Sequence, residues 1–436
     1  MQQLSYWHHH TSRPPRLNNL TNFLPSQADI IIVGAGISGL SLAHHLQESG
    51  KKVVVLEANQ VGYGATAYCS GMLTNEPGED YIQLLKKHGV AHVRRVSDSL
   101  KFGINAIEDY LLTQDHNTDY RRVDSLYVGY SNKDTFHLEA EFQVRNAAGL
   151  RSEMLNKTQL TQSFPWIKGS SAIATAGNAE INPLAFLYSL ADIAINNGTI
   201  VVEDCLVEKI KKNKGSWSVY TTKGEISSPV VSINCDAELE KISKGRVQPV
   251  LPISEAIIVT EPVSELADLA SSQLLWNNFE LFDYARILPE GRIMMGSGQT
   301  LLVGKELEVL KSDEEKLMTA LQDFFELTST PKIEDIWRKS FGVTSDDLPF
   351  IGPIENNLYL AGGYNGHGLV LGFLAGELLA SHILNRPHPY QDLFHPQHRK
   401  NLKSLGYKFL ALPKLRSLAA RILVDSMRRK DKRNRA

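Results

Sequence analysis

Gly34-Ala35-Gly36-Ile37-Ser38-Gly39 is the spacing in this chain that could do the most specific chemistry. It follows Asp29-Ile30-Ile31-Ile32-Val33, a continuous apolar run rich in β-branched residues that reads as a strand buried on both faces. Leu40, Leu42, Ala43 and Leu46 continue at helical spacing towards Gly50. Lys52 to Glu57 is then a second apolar strand ending in an acid, 18 residues after Gly39. In this strand–turn–helix–strand context a G-x-G-x-x-G is a dinucleotide-binding fingerprint. Gly34 permits the tight turn, Gly36 lets the backbone approach a pyrophosphate, and Gly39 allows close helix–strand packing. The helix start offers free N–H groups and a positive dipole end to the anion. Glu57, followed by Ala58, can accept hydrogen bonds from both ribose hydroxyls. The fingerprint alone does not separate NAD from FAD.

Elsewhere, Ser97–Leu112, Asp134–Ala148, the segment from Pro183 to Asn196, Glu306–Leu327 and Gly368–Leu384 read as helices. Tyr120–Tyr130, Thr199–Ile210, Ser216–Thr222, Val230–Asn234, Val250–Thr260, Phe279–Leu288, Arg292–Gly296 and Leu358–Ala361 read as strands. The 436 residues suggest two domains, and 42% hydrophobic with 22% charged residues excludes a disordered or collagen-like chain. No run approaches the roughly 18 apolar residues of a membrane span. Cys69, Cys205 and Cys235 are too few and too widely spaced for a disulfide framework or a zinc site, so no metal is expected and a reducing, cytoplasmic setting is. His8, His9 and His10 read as an exposed N-terminal arm.

Net charge is −2, unevenly spread: residues 399–436 hold thirteen Lys/Arg against two Asp, +11, and the first 398 residues carry −13. Leu415, Leu418, Ala419, Ile422 and Leu423 lie at helical spacing among basic residues. The tail therefore reads as a helix packed on the acidic body. The alternatives are peripheral attachment to an anionic membrane surface, or binding to an acidic partner. Nucleic acid is the less expected partner.

Several ordered segments resemble the FAD-dependent D-amino-acid oxidase/glycine oxidase (DAO) family. Gly64-Ala65-Thr66-Ala67-Tyr68-Cys69-Ser70-Gly71-Met72-Leu73 resembles its second flavin-contacting segment. Trp337–Glu355 resembles its C-terminal block, and Leu358–Gly368, with Gly362-Gly363-Tyr364-Asn365-Gly366-His367-Gly368, its last strand, glycine-rich loop and closing helix. Ala179–Pro183, Thr260–Pro262, Asp283–Arg286 and Gly291–Gly296 match recurring segments, and Ser5-Tyr6-Trp7 resembles the subgroup related to γ-glutamylputrescine oxidase. The resemblance runs from about Tyr6 to Leu384.

It implies an α/β Rossmann-type FAD-binding domain of glutathione-reductase type and a mostly antiparallel α+β substrate domain. The implied division gives the FAD-binding domain 1–85, 171–240 and 333–398, the substrate domain 86–170 and 241–332, and leaves 399–436 as a basic tail. FAD would be held by the fingerprint, Glu57, Ala58, Ala65, Thr66, Tyr68, Cys69, Ser70, Gly71, Met72, Val207, Gly363, Asn365, Gly366, His367, Gly368 and Leu369. Some relatives attach FAD through a histidine where this chain has Tyr68, or through a late cysteine. No cysteine follows Cys235 here, so non-covalent FAD is implied, with Cys69 a small neighbour of the flavin and not a nucleophile. Bare N–H groups at Gly366–Gly368 would stabilise charge on a reduced flavin.

The implied reaction is oxidation of the C–N bond of a small amine or amino acid by hydride transfer to flavin N5. An imine forms and hydrolyses, and oxygen or another acceptor takes the electrons. Tyr284 and Arg286, two apart on a strand, share a face, so Arg286 could pair with a substrate carboxylate, unless the two are an ordinary surface pair. His367 could contact flavin or substrate, or simply cap the last helix; Asn365 and Arg338 are further candidates. The competing function is a flavin oxidoreductase acting on a macromolecule such as modified tRNA, or within a complex, docked by the tail.

Overall fold

The computed structural model describes residues 3–76, 80–243, 249–267, 273–396 and 413–435. Ile30–Val33 is a strand with every side chain buried, flanked in parallel by Val53–Leu56 and Val230–Ile233. Ile200–Val202, Leu358–Gly362 and Phe350–Glu355 complete a six-stranded sheet, antiparallel only at the Phe350–Glu355 edge. The two-residue period of a strand explains its two covers. Ile30 and Ile32 face a core shared with helices Ile37–Leu46, Pro183–Asn196 and Gly368–Ile383. Ile31 and Val33 face a second core with Trp217, Val219 and Ile226, from the antiparallel sheet of Val207–Asn213, Ser216–Thr221 and Gly224–Ser228. Helices Ile37–Leu46 and Gly368–Ile383 pack closely, tied by a 2.6 Å hydrogen bond from Ser41 Oγ to the Phe373 carbonyl.

The second layer is a ten-stranded sheet. Its path runs Leu302–Val303, Leu251–Thr260, Ile293–Ser297, Asp283–Ile287, Gln273–Asn277, Arg121–Gly129, Ser171–Glu180, Met72–Leu73. Ile333–Val343 pairs with Leu251–Thr260, and Ser152–Asn156 with Ser171–Glu180. All these ladders are antiparallel except Gln273–Asn277 on Arg121–Gly129. The architecture is therefore an α/β Rossmann-like domain with a second α+β domain. Ser171–Glu180 and Ile333–Val343 belong by pairing to the larger sheet, whereas the sequence division assigns 171–240 and 333–398 to the FAD-binding part. Ser171–Glu180 is mostly Ala, Ser and Thr, so its apolar pattern is too weak to show a strand.

Several elements are shorter than expected. Glu306–Leu327 reduces to a helix over Lys311–Phe324, started where Asp313 Oδ2 accepts from Leu310 N at 2.8 Å. Phe279–Leu288 reduces to Asp283–Ile287. The N-terminal arm is a larger departure. Tyr6–His10 is a short helix with Trp7 buried, and His8 Nε2 lies 3.0 Å from the Gly62 carbonyl. The apolar Trp7 draws this arm onto the body, so it is docked there with His8 half-buried, while His9 and His10 stay exposed as the polar sequence suggested. In the tail, Pro413–Arg435 is a helix, and the 399–412 part of the basic segment lies outside the described residues.

Candidate flavin and substrate site

The fingerprint folds as its spacing requires. Gly34 ends its strand at φ +103°, where a Cβ would stand 2.5 Å from the Asn234 carbonyl. At Gly39 a Cβ would run into the Gly34 carbonyl, so only glycine lets the helix start this close to the strand. Gly36 is the N-cap of Ile37–Leu46 and gives it no side-chain cap. Ala35 N donates to Glu57 Oε2 at 2.8 Å, and Asn59 N to Glu57 Oε1 at 3.0 Å. Burial pushes the Glu57 pKa up while these backbone donors pull it down. The carboxylate is thus fixed beside the turn; Ser38 is buried in the first turn of the helix, Ala58 is exposed, and Val207 lies in the apolar cluster with Leu56, Val202 and Cys205. A cradle that no Cβ can fill, a bare helix start and an anchored acid fit the pyrophosphate and ribose of FAD.

The second segment lies against the first. Ala65–Tyr68 is a single 3-10 turn, and Thr66 Oγ1 accepts from Ile37 N at 3.2 Å. Three outside donors hold its carbonyls: Ser5 Oγ on Ala67 at 2.7 Å, Trp337 Nε1 on Tyr68 at 2.9 Å and Trp7 Nε1 on Cys69 at 2.8 Å. Burial pushes the Cys69 thiol pKa up, and its Sγ donates to the Thr66 carbonyl at 3.1 Å, so it remains a thiol. Ser70 and Gly71 lead into Met72–Leu73, where Met72 pairs with Glu180.

The third segment is the loop that starts helix Gly368–Ile383. Gly363, Asn365 and Gly366 take positive φ (+74°, +53°, +90°). Half-buried Asp236 holds the loop: Oδ1 accepts from Gly363 N at 2.9 Å and Oδ2 from Gly342 N at 2.9 Å. Asn365 Oδ1 accepts from Thr344 N at 2.7 Å, and its Nδ2 donates to the Gly363 carbonyl at 2.9 Å. Asn365 is therefore a loop staple rather than a substrate ligand. His367 is the N-cap residue of the helix, with Nδ1 3.0 Å from Thr74 Oγ1 and Leu369 buried just after it. Burial, reinforced by the Lys339 cation, pushes the His367 pKa down to about 4, so the ring is neutral at pH 7.

Tyr284 and Arg286 share a face, as expected, but do different work. Tyr284 OH donates to Glu255, whose Oε1 is 2.9 Å from Lys339 Nζ. Lys339 Nζ also lies 5.3 Å from the Tyr284 ring centroid and 5.2 Å from that of Phe341. Arg286 is buried, and its Nη1 donates to the carbonyls of Ser70, Gly71 and Ile181, each at 3.0 Å. Its Nε lies 3.3 Å from Glu180, and its guanidinium 5.3 Å from the Trp7 ring. This corrects the substrate-carboxylate expectation: Arg286 clasps the flavin segment. Arg338 is likewise committed. It forks onto Asp313 at 2.8 and 2.9 Å, with the Thr300 carbonyl and Ser254 Oγ taking further donors.

Lys339, Glu255, Thr74 and Asp236 were not singled out from sequence. A lone acid in the apolar strand Leu251–Thr260 was the available sign for Glu255, since a buried charge needs a partner. Nothing local marks Lys339, whose partner lies 84 positions away.

The family described as "DAO: FAD dependent oxidoreductase" matches residues 29–382. The chain is 29% identical to "Gamma-glutamylputrescine oxidoreductase" of Escherichia coli over 360 residues, 81% of this chain and 82% of that one. It is 27% identical to "Probable oxidoreductase OrdL" of Haemophilus influenzae over 377 residues, 82% and 83%. In fold it is similar to glycine oxidase from Geobacillus kaustophilus (TM-score 0.72, 18% identity, 85% of this chain and 99% of that one). It is also similar to L-proline dehydrogenase from P. horikoshii (TM-score 0.71, 19% identity, 86% and 98%). With a cradle that fits the dinucleotide and a family match from the first strand into helix Gly368–Ile383, the chain belongs to the DAO family of FAD-dependent oxidoreductases, and its FAD is held non-covalently.

Proposed function

We propose that this protein oxidises the C–N bond of a small amine or amino acid. The observation that carries the reading is the buried Lys339–Glu255–Tyr284 cluster with neutral His367, set against the flavin segment at Cys69. FAD, when bound, supplies the acceptor at N5 for the two electrons and hydrogen of the substrate C–H bond. The chain's own groups set the conditions. Lys339 disfavours a second cation, so the amine is favoured in its neutral form, with its nitrogen lone pair free to become the C=N bond as hydride leaves. The start of helix Gly368–Ile383 and the Lys339 charge favour negative charge beside Gly366–Gly368. His367 stays neutral and hydrogen-bonded to Thr74, so it holds an orientation without adding charge. Water then adds to the released imine, giving a carbonyl compound and an amine or ammonia.

With Arg286 and Arg338 committed to backbone and to Asp313, recognition at these two positions does not use a carboxylate fork. An amine without an adjacent carboxylate therefore heads the substrate class. The relative named gamma-glutamylputrescine oxidoreductase supports that class, as does the buried Trp7 of the Ser5-Tyr6-Trp7 segment.

The test is anaerobic. The FAD-loaded protein is mixed with polyamines, γ-glutamyl polyamines, N-methylated amino acids, glycine, D-amino acids and proline, and flavin absorbance is followed before air is admitted. Bleaching by one class supports the reading, and the rate of recovery in air tells oxygen from another acceptor. A loaded flavin that no amine bleaches would overturn it.

A further inference from the structure

The tail helix Pro413–Arg435 is inside out for a packed helix. Its inner side is formed by Ser417, Ala420, Val424, Met427, Arg428 and Asp431, the positions that are half-buried or buried. Contact is polar: fully buried Asp431 accepts from Glu280 N at 3.0 Å and Leu281 N at 2.9 Å. Arg428 donates to the Leu301 carbonyl, and Lys430 pairs with Glu280. Three large apolar side chains point the other way, with Leu418 54%, Ile422 58% and Leu423 56% exposed. Arg421, Arg429 and Lys430 are exposed among them, and the one exposed acid of the described side chains here, Asp425, is 3.1 Å from Arg428.

We infer that the outer face of this helix docks on an anionic lipid bilayer surface. An apolar strip flanked by Arg and Lys is the pattern that inserts side chains at the headgroup boundary while cations meet lipid phosphates. Charge sets the partner's sign. Residues 399–436 carry +11, so another copy of this tail would repel it. The apolar strip separates a bilayer from a purely phosphate partner such as RNA, which needs no exposed Leu or Ile. No helix among the described residues is long and apolar enough to cross a membrane, so the attachment is peripheral. The Asp431 anchor makes the helix a fixed outrigger, held at the residues just ahead of the strand that carries Tyr284.

The test is co-sedimentation of the full-length, FAD-loaded protein with phosphatidylcholine vesicles, with and without phosphatidylglycerol. Binding is expected only to the anionic vesicles and weakens as salt is raised. A Leu418→Ser/Ile422→Ser/Leu423→Ser variant loses about tenfold or more in partition coefficient. An Arg421→Gln/Arg429→Gln variant loses the salt-sensitive part. Both keep the flavin spectrum of the parent, which shows that the body is folded. Equal binding by the triple variant, no binding by the parent, or retention on RNA but not on vesicles would each overturn the inference. So would a self-association in the parent that the triple variant abolishes, without vesicle binding.

Discussion

Arg286 separates two accounts of the substrate side, because a clasp and a carboxylate receptor fail differently. In the structure its guanidinium joins Ser70 and Gly71 to Ile181 and faces Glu180. Hydrogen bonds from a charged donor are worth about 1.5–3 kcal/mol each. Arg286→Lys keeps a charge, but its ammonium stops one bond short of the Nη1 position that meets the three carbonyls and cannot serve them and Glu180 together, as Nη1 and Nε do. Loss of one such bond to the flavin segment corresponds to about a tenfold to hundredfold rise in FAD Kd. Arg286→Met is more severe, since breaking a buried ion pair costs about 3–5 kcal/mol. The assay is FAD titration of the apoprotein by flavin fluorescence, with KM and kcat measured at saturating FAD. The clasp account requires weakened FAD binding, a lowered melting temperature and a nearly unchanged KM in Arg286→Lys. A KM raised a hundredfold for a carboxylate-bearing substrate, with FAD affinity intact, would refute it.

Other consequences follow from the same geometry. Gly39→Ala places a methyl group against the Gly34 carbonyl and should yield a colourless protein that FAD cannot load, read from its absorption spectrum. Asp236→Asn keeps one acceptor but replaces the other by a donor facing a loop N–H; a loss of about 1–3 kcal/mol is expected in FAD binding, measured by titration. Arg338→Met breaks the buried pair with Asp313 and should lower the melting temperature while FAD Kd, determined separately, stays at the parent value. His367 binds its proton more weakly folded, at about pH 4, than unfolded, near 6.5, so acid favours the unfolded state. Stability is full above about pH 6.5 and is lost towards pH 4, by up to about 3 kcal/mol, with buried His45 acting in the same window. Thermal scans across that range should show the fall, and His367→Asn should flatten it in part.

The FAD side was legible in sequence because its requirements are local. Strand, turn and helix follow one another from Ile30 to Leu46, and glycine is the only residue that Gly34 and Gly39 can be. The strands on each side show as β-branched runs because they are buried on both faces. The larger sheet was less legible. Ser171–Glu180 is built from small residues, and Gln273–Asn277 is short and pairs with Arg121–Gly129 across a long separation. The shared face of Tyr284 and Arg286 follows from strand period alone, but what each touches does not. Arg286 meets carbonyls more than a hundred positions away, and a guanidinium looks the same in sequence whether it grips a substrate or a loop.

The cluster at Glu255 shows why chemistry on this side resists local reading. Glu255, Tyr284 and Lys339 come from three strands, Leu251–Thr260, Asp283–Ile287 and Ile333–Val343. One direct ladder, between Leu251–Thr260 and Ile333–Val343, and two ladders through the intervening Ile293–Ser297 bring them together, so none of the three has a motif of its own. Lys339 is tolerated in a buried sheet because Glu255 offsets its charge, and Glu255 is tolerated because Tyr284 OH takes up further acceptor capacity. Lys339→Met therefore has two separable effects. It leaves Glu255 without its cation, which lowers stability, and it removes the charge that, after burial, helps to depress the His367 pKa. The second effect should move the acid limb of the kcat/KM profile to higher pH, whereas lost packing alone would lower the melting temperature and leave that limb in place.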